Sequence, residues 1–266
     1  MNEPKKKFKL VTDTQARMIL PNTLTLIGVC VGLSSINFAL NQKYELAIIA
    51  ILFAAIIDGL DGRIARLIKG TSKVGKELDS LTDVISFGVA PAFIMYFWTL
   101  NSYGKIGWLL SLIYVVCVAL RLARFNINTG GDITWKDNFF QGVPSPAGGI
   151  LVLTPLVLDI SGLNLFNINF KTFAPFIFIL ISILLISKVP TYSMKKIVVP
   201  RSTTVFLLFG IVLLFGLLLI FTFEVIVISC MVYVLSIPIS IYHYIKLKKK
   251  YSITPNNDDE EPEDVL

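Results

Sequence analysis

The chain has little charge, one histidine and three cysteines. Only 16% of its 266 residues are Asp, Glu, Lys or Arg, against 55% hydrophobic ones, a balance outside the range of water-soluble domains. The lone histidine, His243, has no catalytic partner in the sequence and reads as an interfacial side chain near the end of the last apolar run. Cys30, Cys117 and Cys230 all fall inside apolar runs, as small packing residues rather than a disulfide or metal set. A leader-peptide pattern is also missing, because the first apolar run is long and no small-residue cleavage site follows it. No inverted repeat of the transporter kind is visible.

What the chain does have is a succession of apolar runs of about 18 to 25 residues, the length needed to cross a hydrocarbon core of about 30 Å as helices. The predicted fold class is all-α, a polytopic membrane protein with eight spans at about 18–40, 46–68, 80–99, 106–126, 147–166, 172–190, 203–222 and 224–245. The last two runs are barely separated, so seven spans with one long broken segment is an alternative, and Pro238 is placed to kink the last helix. Residues 126–142 form the one substantial internal polar loop. The organisation expected is a basic segment at 1–17, a catalytic membrane domain at 18–200, a C-terminal hairpin at 201–250 and an acidic, solvated tail at 251–266.

Orientation follows from the basic residues. Of the 24 Lys and Arg, only Lys43, Lys105 and Lys171 fall on one face of this arrangement. Lysine and arginine in short loops favour the cytoplasm, so both termini are expected there. The net charge of +6 then reflects topology and attraction to anionic membrane lipid; no nucleic acid is implied.

Against this background the segment AIIDGLDGRIAR, residues 55–66, is anomalous. An acid at membrane depth costs roughly 2.5 to 3.5 kcal/mol on insertion scales, yet Asp58 and Asp61 stand three apart at the end of span two. Asp79 and Asp83 stand four apart at the start of span three. Each pair shares a helical face, and the short connection between the spans makes the two helices antiparallel neighbours. Four converging carboxylates repel unless cations neutralise them. Oxygen donors without a nearby His or Cys favour Mg²⁺ or Mn²⁺ over Zn²⁺. Gly62, Ala65 and Gly75 leave room for a ligand, and Arg63, Arg66, Lys69, Lys73 and Lys76 surround it with positive charge. A phosphate or pyrophosphate ligand at the cytoplasmic interface fits this set.

Asp58, Asp61, Gly62, Ala65, Arg66, Gly75, Asp79 and Asp83 reproduce every fixed position of a known signature, and the chain resembles the CDP-alcohol phosphatidyltransferase family. PNTLT at 21–25 is similar to the family's opening of its first span. LDSLTDVISFGVAPAF at 78–93, RLARFN at 121–126 and FQGVPSPAGG at 140–149 resemble the phosphatidylserine synthase branch. The resemblance implies displacement of CMP from CDP-diacylglycerol by the hydroxyl of L-serine. It gives Asp58, Asp61, Asp79 and Asp83 a divalent-metal centre of two ions, Mg²⁺ or Mn²⁺, with Asp83 also the general base. Gly62, Ala65, Arg66 and Gly75 would line the CDP-lipid site. Arg121, Arg124, Asn126 and Ser145, with Gln141 close by in sequence, would form the serine pocket. It also implies a homodimer in the cell (inner) membrane with its active site at the cytoplasmic face.

Three alternatives stay open on sequence grounds. The aspartate signature is shared by transferases that use glycerol 3-phosphate or inositol phosphate as acceptor. A carboxylate pair such as Asp58 and Asp61 also occurs in proton- or cation-coupled transporters. Arg121 and Arg124 can equally be anchors at a cytoplasmic span end. The GVCVG stretch at 28–32 reads as a small-xxx-small packing face.

Overall fold

The computed structural model describes residues 14–68, 72–127, 139–163, 169–192 and 201–252. Helices α1 (Thr14–Leu40) and α2 (Tyr44–Leu67) form a hairpin through a tight turn in which Gln42 takes a φ of 59°. On α2 the buried residues are Ala47, Ile48, Ala50, Ile51, Ala54, Ile57 and Asp61. They recur every three or four positions and so define one face, whose small alanines let α1 approach. Asp61 is the last member of that buried face, which is how an acid is accommodated here: it points into protein, away from lipid.

Helix α3 (Lys73–Asp83) is capped by Ser72, whose Oγ accepts from the Gly75 N–H at 2.9 Å, satisfying one of the donors that a helix start leaves free. It continues without a break through a π-helical turn at Val84–Val89 into α4 (Ala90–Trp98). The glycine pair of α1 packs here, as GVCVG predicts. A Cβ on Gly32 would lie 2.4 Å from Ser86 Oγ, and one on Gly28 would lie 3.4 Å from Thr82 Cγ2.

Helix α5 (Lys105–Ile127) and α8 (Phe170–Ile186) complete the core. Tyr114 is fully buried, donates to the Phe87 carbonyl at 2.9 Å and stands with its ring 5.0 Å from that of Phe178. The expected fifth span is two short helices, α6 (Ser145–Val152) and α7 (Thr154–Ser161), because Pro155 in the first turn of α7 lacks the N–H that would carry one helix into the next.

A second departure from the expected spans, within a fold that is otherwise helical, is a two-stranded antiparallel ribbon. Strand β1 (Phe139–Gln141) pairs with β2 (Pro190–Tyr192), Phe140 opposite Thr191. Three residues per strand are too few for an alternating pattern to show in sequence. Gly142 follows β1 with φ 75°, and a Cβ there would be 2.7 Å from the Leu185 carbonyl oxygen, so only glycine lets the ribbon turn directly into α6. His243, read from sequence as an interfacial side chain, packs against Phe139 and shares a 3.2 Å contact with the Tyr192 hydroxyl.

Helices α9 (Arg201–Ile220) and α10 (Thr222–Ser252) are separate elements that meet at Phe221, and α10 runs through Pro238 without interruption. α10 packs its Ile226, Val227, Cys230 and Ile237 face on α7 and β2, whereas α9 exposes Phe206, Phe209, Leu213 and Phe215. Among the described residues four stretches are long and apolar enough to cross a membrane: Ile19–Leu40, Val74–Trp98, Lys105–Ile127 and Thr222–Lys249. Their outward side chains, including Leu26, Leu109, Leu112 and Leu235, are exposed, a surface suited to hydrocarbon and not to water. The protein is a helical membrane protein. All three cysteines are free, two of them buried.

Candidate active site

Helix α2 presents Asp58 and Asp61 toward Asp79 of α3, and one carboxylate oxygen from each of the three lies within 4.8 Å of the others. Asp61 is buried; Asp58 and Asp79 are half-buried. The Thr25 hydroxyl of α1 sits 2.7 Å from Asp61 Oδ2, positioned to donate to it. Asp83, one turn beyond Asp79, stands beside Asp58 on one side and beside Ser145 and Arg121 on the other. Its Oδ1 is buried with no hydrogen-bond partner. The structure therefore gathers three of the four predicted acids into a compact oxygen-only group and sets the fourth between that group and the next polar cluster. An oxygen-rich set of this kind suits a hard divalent cation, and the unpartnered Asp83 oxygen is a further acceptor available to one.

Of the residues expected to line the CDP-lipid site, Gly62 and Gly75 do different things. A Cβ on Gly62 would meet nothing within 4 Å, so the glycine leaves open space next to Asp61. A Cβ on Gly75 would come within 2.9 Å of Asn22 Oδ1 and 3.0 Å of Ser72 Oγ. Gly75, expected to line the CDP-lipid site, thus seats the start of α3 against α1 at Asn22. Ala65 is half-buried, and Arg66, one residue before the end of α2, is exposed.

The four residues expected to form a serine pocket separate. Arg121 is 8% exposed and donates from Nη1 to the Oγ of Ser145, which is fully buried. Asn126 donates to Ser80 Oγ at 2.8 Å and ties the end of α5 to α3. Arg124 is exposed and donates to the Ile186 carbonyl at 3.0 Å, where α8 ends. Three positions rotate a helix by about 300°, and at the end of α5 that is enough to bring the second arginine out of the interior. Arg121 and Ser145 reach Asp83; Arg124 does not join them. Gln141 is exposed on β1.

Two residues near the site were given no role from sequence. Thr25 lies within PNTLT, where a hydroxyl one turn after Pro21 in an apolar helix was the available signal. Tyr233 of α10 lies near Arg121 and beside Thr191, and its hydroxyl is buried without a partner, as is Arg121 Nε. An unpaired buried polar atom costs about 1 to 3 kcal/mol, so these two are open to a polar ligand.

The sequence model of the CDP-alcohol phosphatidyltransferase family matches residues 18–180, which contain all of the acids above. Similar proteins include one from Mycobacterium leprae named CDP-diacylglycerol--serine O-phosphatidyltransferase, 43% identical over 68% of this chain and 61% of its own length. The chain thus spans less than two thirds of that relative. Proteins of the same name from Mycobacterium bovis and Helicobacter pylori are 35% identical, over 84% of this chain and 78% of theirs, and 39% identical, over 67% of this chain and 74% of theirs. By its matched residues and by the acids they bring together, the chain belongs to the CDP-alcohol phosphatidyltransferase family.

Proposed function

We propose that the protein transfers a phosphatidyl group from CDP-diacylglycerol to the hydroxyl of L-serine, giving phosphatidylserine and CMP. The observation that carries this reading is the position of Asp83, with the Asp58, Asp61 and Asp79 group on one side and the Arg121 and Ser145 pair on the other. A donor of phosphoryl charge and an acceptor alcohol can then meet at one carboxylate. The names of the relatives support serine as that alcohol.

Asp58, Asp61 and Asp79, with Asp83 at their edge, would hold divalent metal, Mg²⁺ or Mn²⁺ and two ions. When bound, it supplies positive charge against the diphosphate and the departing CMP. Gly62 leaves space for the nucleotide, and Arg66 offers its guanidinium at the cytoplasmic end of α2. Asp83 accepts the proton of the serine hydroxyl as that oxygen bonds to the lipid-side phosphorus. The bond from this phosphorus to the bridging oxygen breaks, and CMP leaves with the electron pair. Arg121 and Ser145 bind the amino acid, while Asn126 holds α5 on α3 and Arg124 holds the end of α8. The same reading places the protein in the inner membrane as eight spans and a homodimer, with both termini and the site on the cytoplasmic side and residues 18–200 as the catalytic domain.

The test is CMP release by the purified protein supplied with CDP-diacylglycerol, Mg²⁺ and one of three acceptors. Labelled serine is expected to enter a lipid with the mass of phosphatidylserine, and chelation is expected to stop it. Incorporation of glycerol 3-phosphate or inositol phosphate in its place would replace serine as the acceptor, and no CMP release with any acceptor would remove the transferase reading.

A further inference from the structure

Arg121 Nε, Asp83 Oδ1 and the Tyr233 hydroxyl are each buried without a hydrogen-bond partner. They come from α5, α3 and α10, yet Arg121 is an electrostatic neighbour of both of the others. Protein interiors rarely leave such atoms unpaired, and these three group around one guanidinium as a polar cluster. The cluster has a chemical pattern: Arg121 and Tyr233 offer an N–H and an O–H, and Asp83 offers an acceptor.

Packing against α7 and β2 brings Tyr233 there. Cys230 and Ile237 are buried on the face of α10 that packs on α7 and β2, and Tyr233 lies between them on that face. Its phenol lies beside Thr191 of β2. Thr191 in turn donates to the Gly142 carbonyl at 2.8 Å, and Ser145, the partner of Arg121, is three residues further on.

We infer that Tyr233 is a specificity-determining residue that donates its hydroxyl to the carboxylate of the acceptor amino acid, next to Arg121, while Asp83 faces the acceptor's own hydroxyl. Two donors from separate helices match the two oxygens of a carboxylate, and a simple alcohol would leave both unpaired. The inference rests on the serine transfer proposed above. It adds that the C-terminal hairpin, outside the family-matched residues 18–180, takes part in choosing the acceptor.

The experiment uses the full chain with CDP-diacylglycerol and Mg²⁺, comparing wild type with Y233F and with Y242F, a tyrosine 72% exposed on the same helix. Phenylalanine keeps the ring and its packing and removes only the donor. The serine KM of Y233F is expected to rise about tenfold or more, as for a lost hydrogen bond to a charged group, with the CDP-diacylglycerol KM and the thermal midpoint unchanged; Y242F behaves as wild type. With serine methyl ester, whose carboxylate is capped, wild type and Y233F are expected to perform alike. An unchanged serine KM in Y233F, or an equal loss with serine and its ester, overturns the inference and leaves serine transfer standing. A wild type that releases no CMP in response to serine overturns both.

Discussion

Asp58, Asp61 and Asp79 stand on two helices joined by a short connection, whereas Arg121, Ser145 and Tyr233 arrive from α5, α6 and α10 across residues 121–233. On the first side, helical spacing of three and four does most of the work, and α1 adds one hydroxyl from Thr25. On the second side no two of the three residues share an element. Their meeting depends on Gly142 turning the ribbon into α6 and on α10 lying against α7 and β2. Under the proposed transfer, a site with one locally encoded half and one assembled half could keep its phosphate chemistry while the acceptor side is altered by changes in distant helices.

That comparison can be broken most severely where the halves join. Asp83→Asn keeps the shape of the side chain but cannot take a proton, so kcat is expected to fall by about 10² to 10⁴, with binding of CDP-diacylglycerol little changed; steady-state kinetics in both substrates checks it. An Asn variant with normal turnover would move the proton acceptor elsewhere. Within the assembled half, Arg121→Ala removes a buried, hydrogen-bonded charge and is expected to raise the serine KM about 30-fold or more. Arg124→Ala removes only the contact to the Ile186 carbonyl and is expected to change it by less than about threefold. Equal effects of the two arginines would erase the separation seen at the end of α5. The smallest effect belongs to the local half. Thr25→Val deletes the hydroxyl beside Asp61, and Mn²⁺ affinity measured by titration calorimetry is expected to weaken about tenfold. Unchanged affinity would mean that the two acid-bearing helices need no help from α1.

The acids were legible in the sequence because charge stands out in an apolar run, and the three-residue spacing in α2 and four-residue spacing in α3 carry over directly into a shared face. The boundaries of α1, α2 and α5 were legible for a similar reason, since long apolar runs have few ways to fold in lipid. Other features left no such trace. The role of Gly75 depends on Asn22, a residue more than fifty positions earlier that only tertiary packing brings near. Arg121 and Arg124 look equivalent in RLARFN, and their fates diverge because α5 ends between the protein interior and the open surface. The ribbon is too short to show a period, and Tyr233 is hidden in a helix whose apolar residues run around most of its circumference.

The π-helical turn at Val84–Val89 has a consequence for how this helix can be read at all. Each residue of a π turn bonds five positions on in place of four, so one extra residue is absorbed between Asp83 and Ala90. The acids of α3 and the buried Ala90, Ile94 and Met95 of α4 consequently belong to two angular phases, offset by about 100°, the rotation of one α-helical residue. No single helical wheel through 73–98 sorts both sets. The loosened ladder also gives the Phe87 carbonyl to Tyr114, so the point where the helix changes phase is pinned to α5, the helix that carries Arg121.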